Sequence, residues 1–400
     1  MHPAKMISGA GSSTLEGKTI VLGVTGSIAA VRSVELARSL LRRGANVIPV
    51  MSPAATQILH PDAMHYACGE EVITRITGEV EHVKYCGMSG EGDLLLVAPA
   101  TANTVSKIAC GIDDTSVTTF ATTAIGSGKP VLVVPAMHEA MYNHPRVIEN
   151  IKRLKAMGVF LIEPVMGEGA AKIAEDGDVV LEVERILGSH TLDGKRILIT
   201  SGATSERIDP IRIITNRASG RTGVEIALEA YRRGASVTII HTVKRDLHGI
   251  REIIVESAEE MTRAVLQEAS HADVLISAAA ISDFTVDKTD RKIRSDTPKT
   301  LRLKPVPKLL EMVRMEYPDQ RIIGFKAETN VTHQELIARA RESMERYGLA
   351  AVIANDVGSG GIGEETNKIH IIQKEKISSF TGRKDMLARE IINTVEEILN

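Results

Sequence analysis

The chain has 400 residues, of which 43% are apolar, 25% charged and 3% aromatic, with no tryptophan. That length is two to three domains at about 100–200 residues each, and the composition excludes a disordered or membrane-spanning chain. Forty-eight Lys and Arg against 51 Asp and Glu leave a formal charge of −3, which excludes the basic excess of a nucleic-acid or membrane-surface binder. Three cysteines, Cys68, Cys86 and Cys110, include no C-x-x-C pair, which points to a reducing, cytoplasmic setting. With few aromatics, the cores must be built from Val, Ile, Leu and Ala, as in α/β proteins with buried parallel strands.

Residues 1–17 are small and polar with no apolar run, and read as a flexible tail. A short apolar strand follows, then Gly23-Val-Thr-Gly-Ser-Ile-Ala-Ala30, a glycine-containing turn that opens an amphipathic helix ending R-R-G-A. Such a turn lets backbone and the Ser27 hydroxyl approach a phosphate at a helix N-terminus. His82 precedes the apolar run Asp93–Val97, which leads into Ala98-Pro-Ala-Thr-Ala-Asn-Thr104, and His138 lies just past the run Pro130–Val134. His60 and His65 have no partners at metal-ligand spacing, so no metal site is assigned.

The opening pattern then recurs. T-L-E-G-K-T-I-V-L at 14–22 is matched by T-L-D-G-K-R-I-L-I at 191–199, and E-L-A-R-S-L-L-R-R-G-A-N-V at 35–47 by E-I-A-L-E-A-Y-R-R-G-A-S-V at 225–237. The offsets are 177 and 190 residues, so the second copy carries 13 extra residues between strand and helix. Each copy is the first βαβ of a doubly wound sheet. The fold class is therefore α/β with two doubly wound, Rossmann-like domains, over 18–189 and 190–400. The extra residues contain Asp209-Pro-Ile-Arg212 and Thr215-Asn-Arg-Ala-Ser-Gly-Arg221; Asn216, Arg217, Ser219 and Arg221 beside a helix start suit phosphate or carboxylate. Strands at Asp273–Ser277, Arg321–Gly324 and Ala350–Ala354 each end in a small or polar cluster, where open α/β sheets bind ligands. Asp287–Pro307 reads as a long charged loop, with Lys292-Ile-Arg294 as an edge strand. With Asp283, this segment suits a polyphosphate and its metal. A literal G-x-G-x-x-G at Gly358, Gly360 and Gly363 precedes a strand at Asn367–Ile372 rather than a helix, and reads as a loop.

On these motifs the sequence resembles, along nearly its whole length, the bifunctional flavoproteins of coenzyme A biosynthesis, in which a phosphopantothenoylcysteine decarboxylase is fused to a phosphopantothenate–cysteine ligase. The resemblance implies a flavodoxin-like flavin domain over 18–189 and a ligase domain over 190–400. In the ligase half it implies attack of the 4′-phosphopantothenate carboxylate on CTP, with Mg2+, to give an acyl-cytidylate and pyrophosphate, then displacement of CMP by the amine of cysteine. By motif position Asn216 holds the acyl-nucleotide and Lys292 assists its formation. Ser277, Ala278, Ala279, Asp283, Pro307, Lys308, Leu309, Leu310 and Phe325 line the nucleotide site. In the decarboxylase half it implies FMN, bound by Gly26, Ser27, Ile28, Ser52, Thr101 and Asn103, oxidation of the cysteine moiety to a thioaldehyde, loss of carbon dioxide and return of the hydride. His82 is the implied base, for which an imidazole suits neutral pH. The implied assembly is a homo-oligomer of trimeric decarboxylase units joined by ligase dimers.

Three positions depart from the family pattern. His138 stands where an Asn usually binds the substrate carboxylate. The segment Pro164–Ala174 lacks the family's proton-donating Cys, with Lys172 at the position of the usual Arg, which leaves Cys86, four residues after His82, as a stand-in donor. Ser343 and Tyr347 replace a Lys pair, so CTP and ATP both stay open. A two-domain nicotinamide-dependent dehydrogenase is the alternative reading, against which stands the lack of G-x-G-x-x-G on a strand–helix turn; a flavin-binding electron carrier would leave the ligase-like motifs without a purpose.

Overall fold

The computed structural model describes residues 2–294, 297–359 and 366–400. The chain divides into two compact units, Met1–Leu187 and Gly188–Asn400, with the boundary two residues earlier than the motifs suggest.

In the first unit the strands are β1 (Thr19–Val24), β2 (Asn46–Met51), β3 (Leu94–Ala100), β4 (Val131–Pro135), β5 (Met137–His138), β6 (Phe160–Leu161), β7 (Val165–Gly167) and β8 (Ala170–Lys172). The helices are α1 (Ser33–Arg42), α2 (Pro53–Thr56), α3 (Pro61–Cys68), α4 (Glu81–Cys86), α5 (Ala102–Cys110), α6 (Ser116–Gly126), α7 (Glu139–Tyr142), α8 (Pro145–Ala156) and α9 (Asp176–Ile186). The main sheet runs β2-β1-β3-β4-β6, all parallel. This is the flavodoxin-like order, whose switch point lies between β1 and β3. Strand residues alternate between two cores. Ile20, Leu22, Leu94 and Leu96 join Leu36, Leu40, Val179 and Val183, while Val21, Leu95 and Val97 join Val117, Phe120 and Leu154 on the other face. Both faces are covered, which is why these strands read as continuous apolar runs.

The second unit has β9 (Arg196–Ser201), β10 (Ser205–Arg207), β11 (Ile213–Thr215), β12 (Ser236–His241), β13 (Arg251–Ile254), β14 (Val274–Ser277), β15 (Phe284–Thr285), β16 (Lys304–Pro305), β17 (Ile322–Glu328), β18 (Ala351–Asp356), β19 (Thr366–Ile372) and β20 (Ile377–Arg383). Its helices are α10 (Arg221–Arg232), α11 (Ala258–Ala269), α12 (Leu309–Glu316), α13 (His333–Tyr347) and α14 (Lys384–Leu399). The sheet order is β13-β12-β9-β14-β17-β18-β19-β20. The first six strands are parallel and the last two antiparallel. The parallel part has the Rossmann order 3-2-1-4-5-6, with its switch point between β9 and β14.

The repeated motif has one structural meaning in both units. Leu15 and Leu192, each 1% exposed, donate their N–H to the Arg43 and Arg233 carbonyls, both at 2.9 Å. The following lysines hand the chain on, Asn46 N to Lys18 O and Ser236 N to Lys195 O, both at 2.8 Å. Gly44 and Gly234 take φ of +94° and +98°, and a Cβ would press on Glu16 of the crossing segment at 3.1 Å in the first case and run into the Asp193 side chain in the second. Thr14 donates to Glu184 of α9, and Thr191 to Glu396 of α14. Each unit thus threads its first strand under the R-R-G-A turn and bolts it to its own last helix. The expectation of a flexible tail over 1–17 is corrected accordingly. Pro3–Ile7 form a 3-10 turn, and Ala4 is 1% exposed in the same core as Leu15. A stretch without an apolar run still contributes two anchors once a partner surface exists.

Lys292-Ile-Arg294 forms no strand. The N–H and carbonyl of Ile293 are taken by Asp209 and Arg212 instead of a sheet ladder. Gly360 and Gly363 of the G-x-G-x-x-G lie outside the described residues; Gly358 donates its N–H to Asp356 at 2.9 Å.

Candidate functional site

Each sheet has a candidate site at the carboxyl edge of the strands flanking its switch point, where open α/β sheets bind ligands. In the first unit three turns leave β1, β2 and β3 side by side, and each has a hydroxyl at its cap. Ser27 accepts from Ala29 N at 3.3 Å, Ser52 from Ala55 N at 3.3 Å and Thr101 from Thr104 N at 3.2 Å. Thr25, 1% exposed, ties the first turn to the third, donating to Pro99 O at 2.7 Å and accepting from Thr101 N at 3.1 Å. Gly26 is required by packing, because a Cβ there would lie 2.5 Å from the Ala54 Cβ. Next to this cradle Ile28 is 79% exposed, an apolar side chain offered to solvent, and Asn103 is exposed on the first turn of α5. Ser116 at the start of α6 donates to Met51 O at the end of β2, at 2.7 Å.

His82 sits in the first turn of α4, edge-on to Phe120 of α6 with ring centroids 6.5 Å apart. Its Nδ1 is buried and has no hydrogen-bond partner among the described residues, an unusual state for a buried ring nitrogen. The helix start is fixed by Glu81, which accepts from Thr77 N and Thr77 Oγ1 at 2.9 and 2.5 Å. Helix geometry does bring Cys86 one turn after His82, but Cys86 is 1% exposed within the core. Burial pushes its thiol up to about 12. In that position the thiol packs against the sheet.

His138 is exposed on β5, which pairs with β8 of the β7–β8 hairpin, Met137 opposite Ala171 and His138 opposite Ala170. Glu139 N donates to Gly169 O at 3.0 Å, so the hairpin tip is fastened to the His138 segment. At that tip Lys172 pairs with Glu168. Tyr142 donates to Glu163 at 2.7 Å, and Lys155 donates to the other oxygen at 2.6 Å. Those two bonds hold the Glu163 carboxyl below the usual range.

In the second unit the loop after β14 is laced to the end of β9. Ala279 N donates to Thr200 Oγ1 at 3.2 Å, Ala280 N to Gly202 O at 2.8 Å and Ser282 N to Thr204 Oγ1 at 2.8 Å. Asn216, at the end of β11, donates its side-chain N–H to Ala280 O at 3.0 Å. The two predicted groups therefore meet at the switch point. Gly202 and Gly220 approach so closely that a Cβ on Gly220 would lie 2.9 Å from the Gly202 Cα. Asp283 forms an ion pair with Lys308 and its carbonyl accepts from Val306 N at 3.0 Å, which brings 283 and 306–308 together. Ser277 is 8% exposed at the end of β14, opposite Gly324 in β17, with Phe325 next. Leu309 is 4% exposed with its side chain in the core, and half-buried Leu310 packs against the same cluster. Lys292 is exposed. In α13, Arg346 donates to Glu311 at 2.6 Å and its guanidinium lies 5.2 Å from the Tyr347 ring centroid.

Motif reading missed Thr25, Thr200 and Thr204, the hydroxyls that join strand ends. A single threonine just past an apolar strand is the signal, and it is too common in sequence to stand out.

Two open α/β units, each with hydroxyl and amide groups gathered at its switch point, define a two-unit protein with a candidate ligand edge in each unit. A family model described as flavoprotein matches residues 8–188, and one for the C-terminal domain of DNA/pantothenate metabolism flavoproteins matches residues 192–399. The chain is 47% identical to the coenzyme A biosynthesis bifunctional protein CoaBC of Thermococcus kodakarensis, over 100% of both chains. It is 39% identical to that of Methanocaldococcus jannaschii, over 100% of this chain and 98% of the other. A solved C-terminal domain of a CoaBC shares 29% identity over 53% of this chain and 98% of that domain, with a TM-score of 0.45. The chain belongs to the CoaBC family of coenzyme A biosynthesis bifunctional proteins. The dehydrogenase alternative falls with that membership.

Proposed function

We propose that this chain performs two consecutive steps of coenzyme A biosynthesis: ligation of 4′-phosphopantothenate to cysteine in residues 188–400, then decarboxylation of the product in residues 1–187. The observation that carries this is full-length relatedness to CoaBC proteins, joined to a ligand edge at the switch point of each unit.

In the first unit FMN is the proposed cofactor, and the residues fit it. The Ser27, Ser52 and Thr101 hydroxyls and the close approach at Gly26 suit the phosphate, and exposed Ile28 suits an apolar ring. When bound, FMN supplies the two-electron sink that activates the cysteinyl carboxylate for loss as carbon dioxide. His82, half-buried in the first turn of α4, takes the substrate proton, a task an imidazole suits near neutral pH. His138 donates to the substrate carboxylate, a role its exposed position at the hairpin tip permits. Lys172 contributes positive charge on the same hairpin.

In the second unit the pantothenate carboxylate attacks the α-phosphorus of CTP and pyrophosphate leaves; the cysteine amine then attacks the acyl carbon and CMP leaves. Lys292 neutralises charge developing on the phosphates. Asn216 holds the acyl-nucleotide next to the 278–283 loop, to which it is already bonded. Mg2+ would enter with the nucleotide and offset its phosphate charge, and Asp283 would help to hold it. Cytoplasmic homo-oligomers, trimeric through the first unit and dimeric through the second, belong to the same proposal. No helix among the described residues is long and apolar enough to cross a membrane.

The test is mass spectrometry of products from phosphopantothenate, cysteine and either CTP or ATP with the full-length protein. The decarboxylated product, 4′-phosphopantetheine, is expected. Asn216→Asp should stop amide formation while the flavin spectrum is kept. Absence of both products with each nucleotide would refute the assignment.

A further inference from the structure

The turn Ile208–Arg212 contains a carboxylate that none of the proposed chemistry uses. Asp209 is 2% exposed, and both its oxygens are occupied. Oδ1 accepts from Ile211 N and Arg212 N, each at 2.8 Å. Oδ2 accepts from the Arg212 guanidinium at 2.6 Å and from Ile293 N at 3.1 Å. A buried carboxylate stays ionised only where donors replace its water. Burial works to raise this carboxyl, but the N–H groups of Ile211, Ile293 and Arg212, with the guanidinium, outweigh it and hold the group far below the usual range.

One of these donors comes from a different part of the chain. Ile293 is about 80 residues away in sequence, in the charged loop where no sheet ladder fixes the backbone. Arg212 also donates to Ile293 O at 3.0 Å, so both polar backbone groups of Ile293 end on the Asp209–Arg212 pair. On the other side, Thr289 N donates to Ile208 O at 3.0 Å and Thr289 Oγ1 to Arg291 O at 3.0 Å. The backbone is thus pinned on both sides of Lys292, whose own side chain stays exposed. The turn that does the pinning runs straight on into β11 and Asn216, whose amide is bonded to Ala280.

We propose that Asp209 is a positioning residue for the ligase reaction: it seals residues 289–293 onto the turn that leads to Asn216, holding Lys292 in place for the nucleotide phosphates. The inference rests on the assignment of Lys292 to acyl-nucleotide formation. A lysine is a point charge on a flexible four-carbon stem, so on an irregular loop its placement depends on how firmly its backbone is held. An amide at Asp209 would keep the shape, but one of its ends is a donor and cannot accept from Ile293 N or from Arg212.

Four full-length proteins decide this: wild type, Asp209→Asn, Lys292→Gln and the double variant, assayed for pyrophosphate release from phosphopantothenate and CTP. Asp209→Asn is expected to lower the turnover rate by about tenfold to 100-fold, the cost of misplacing a reacting group by about 1 Å. In the Lys292→Gln background the same change should cost less than about twofold, because it acts through a group already removed. Amide exchange at Ile293 should rise in Asp209→Asn while β9 and β14 keep wild-type protection. An equal loss in both backgrounds overturns the inference, and so does a wild-type rate for Asp209→Asn beside an impaired Lys292→Gln. A wild-type rate for Lys292→Gln overturns the underlying assignment and the inference together. Should Asp209→Asn not fold, Thr289→Val carries the same comparison, with a loss of about threefold or more expected only where Lys292 is present.

Discussion

Replacing Leu15 by Ala tests the packed N-terminal segment, and Leu192→Ala tests the same element in the second unit. Both leucines are 1% exposed, and each closes the R-R-G-A turn of its own unit through a 2.9 Å backbone bond. Leu→Ala at fully buried sites costs about 3–5 kcal/mol, the upper part being the cavity left behind. The lower figure fits here, because the crossing segment lies at the edge of the core and can relax. For a unit of this size 1 kcal/mol moves the melting temperature by about 2–4 °C, so Leu15→Ala should lower the transition of the first unit by about 6–12 °C. Flavin release on heating, at fixed protein and FMN concentrations, reports that unit, and calorimetry reports both. Leu192→Ala should lower the other calorimetric transition and leave flavin release where it is. A Leu15→Ala protein that releases flavin within about 1 °C of wild type, the behaviour of a flexible tail, would refute the reasoning.

Three further expectations follow from single contacts. Gly26→Ala sets a Cβ 2.5 Å from the Ala54 Cβ, an overpacking of about 1–3 kcal/mol; the flavin-to-protein absorbance ratio should fall, and an unchanged ratio would show that the turn can open without loss. His82→Asn should slow decarboxylation by about 100-fold or more with the flavin spectrum kept, and a rate within a few-fold of wild type would remove His82 as the base. His370 is 5% exposed, with its Nδ1 2.7 Å from Ser379 Oγ. Burial first, then the neighbouring His333 and Lys368, push its pKa below the ordinary 6.5. A base that is harder to protonate when folded supports stability above its unfolded pKa and loses that support as pH falls through the folded one. Second-unit stability should therefore drop as pH falls below about 6.5, and in His370→Gln, measured by urea midpoint, that part of the decline should disappear.

Much of the architecture was legible in the chain itself. Strand runs such as Leu94–Ala100 are apolar throughout because both their faces are covered, and the twice-used T-L-[E/D]-G-K and R-R-G-A segments announced two doubly wound units. The residues around both switch points were also readable, because turns that cradle ligands need glycine, hydroxyl and amide groups at fixed distances from a strand end. Asn216 and the 278–283 loop, far apart in sequence, do meet.

What remained was decided by partners that sequence does not display. Periodicity assigns a face to a helix residue but not what covers that face, so Cys86 shares its helix with His82 and still ends in the core. Leu309, on the first turn of α12, likewise ends in the core. Lys292-Ile-Arg294 has the alternation of a strand, yet its backbone groups are claimed by Asp209 and Arg212 from another loop. Residues 1–17 have the composition of a tail, yet Leu15 and Thr14 find a turn and a last helix to hold them. Local pattern is written in neighbouring residues, which the chain carries with it; the burial of a thiol, the ionisation of a carboxylate and the anchoring of a loop depend on groups that meet only when the chain has folded.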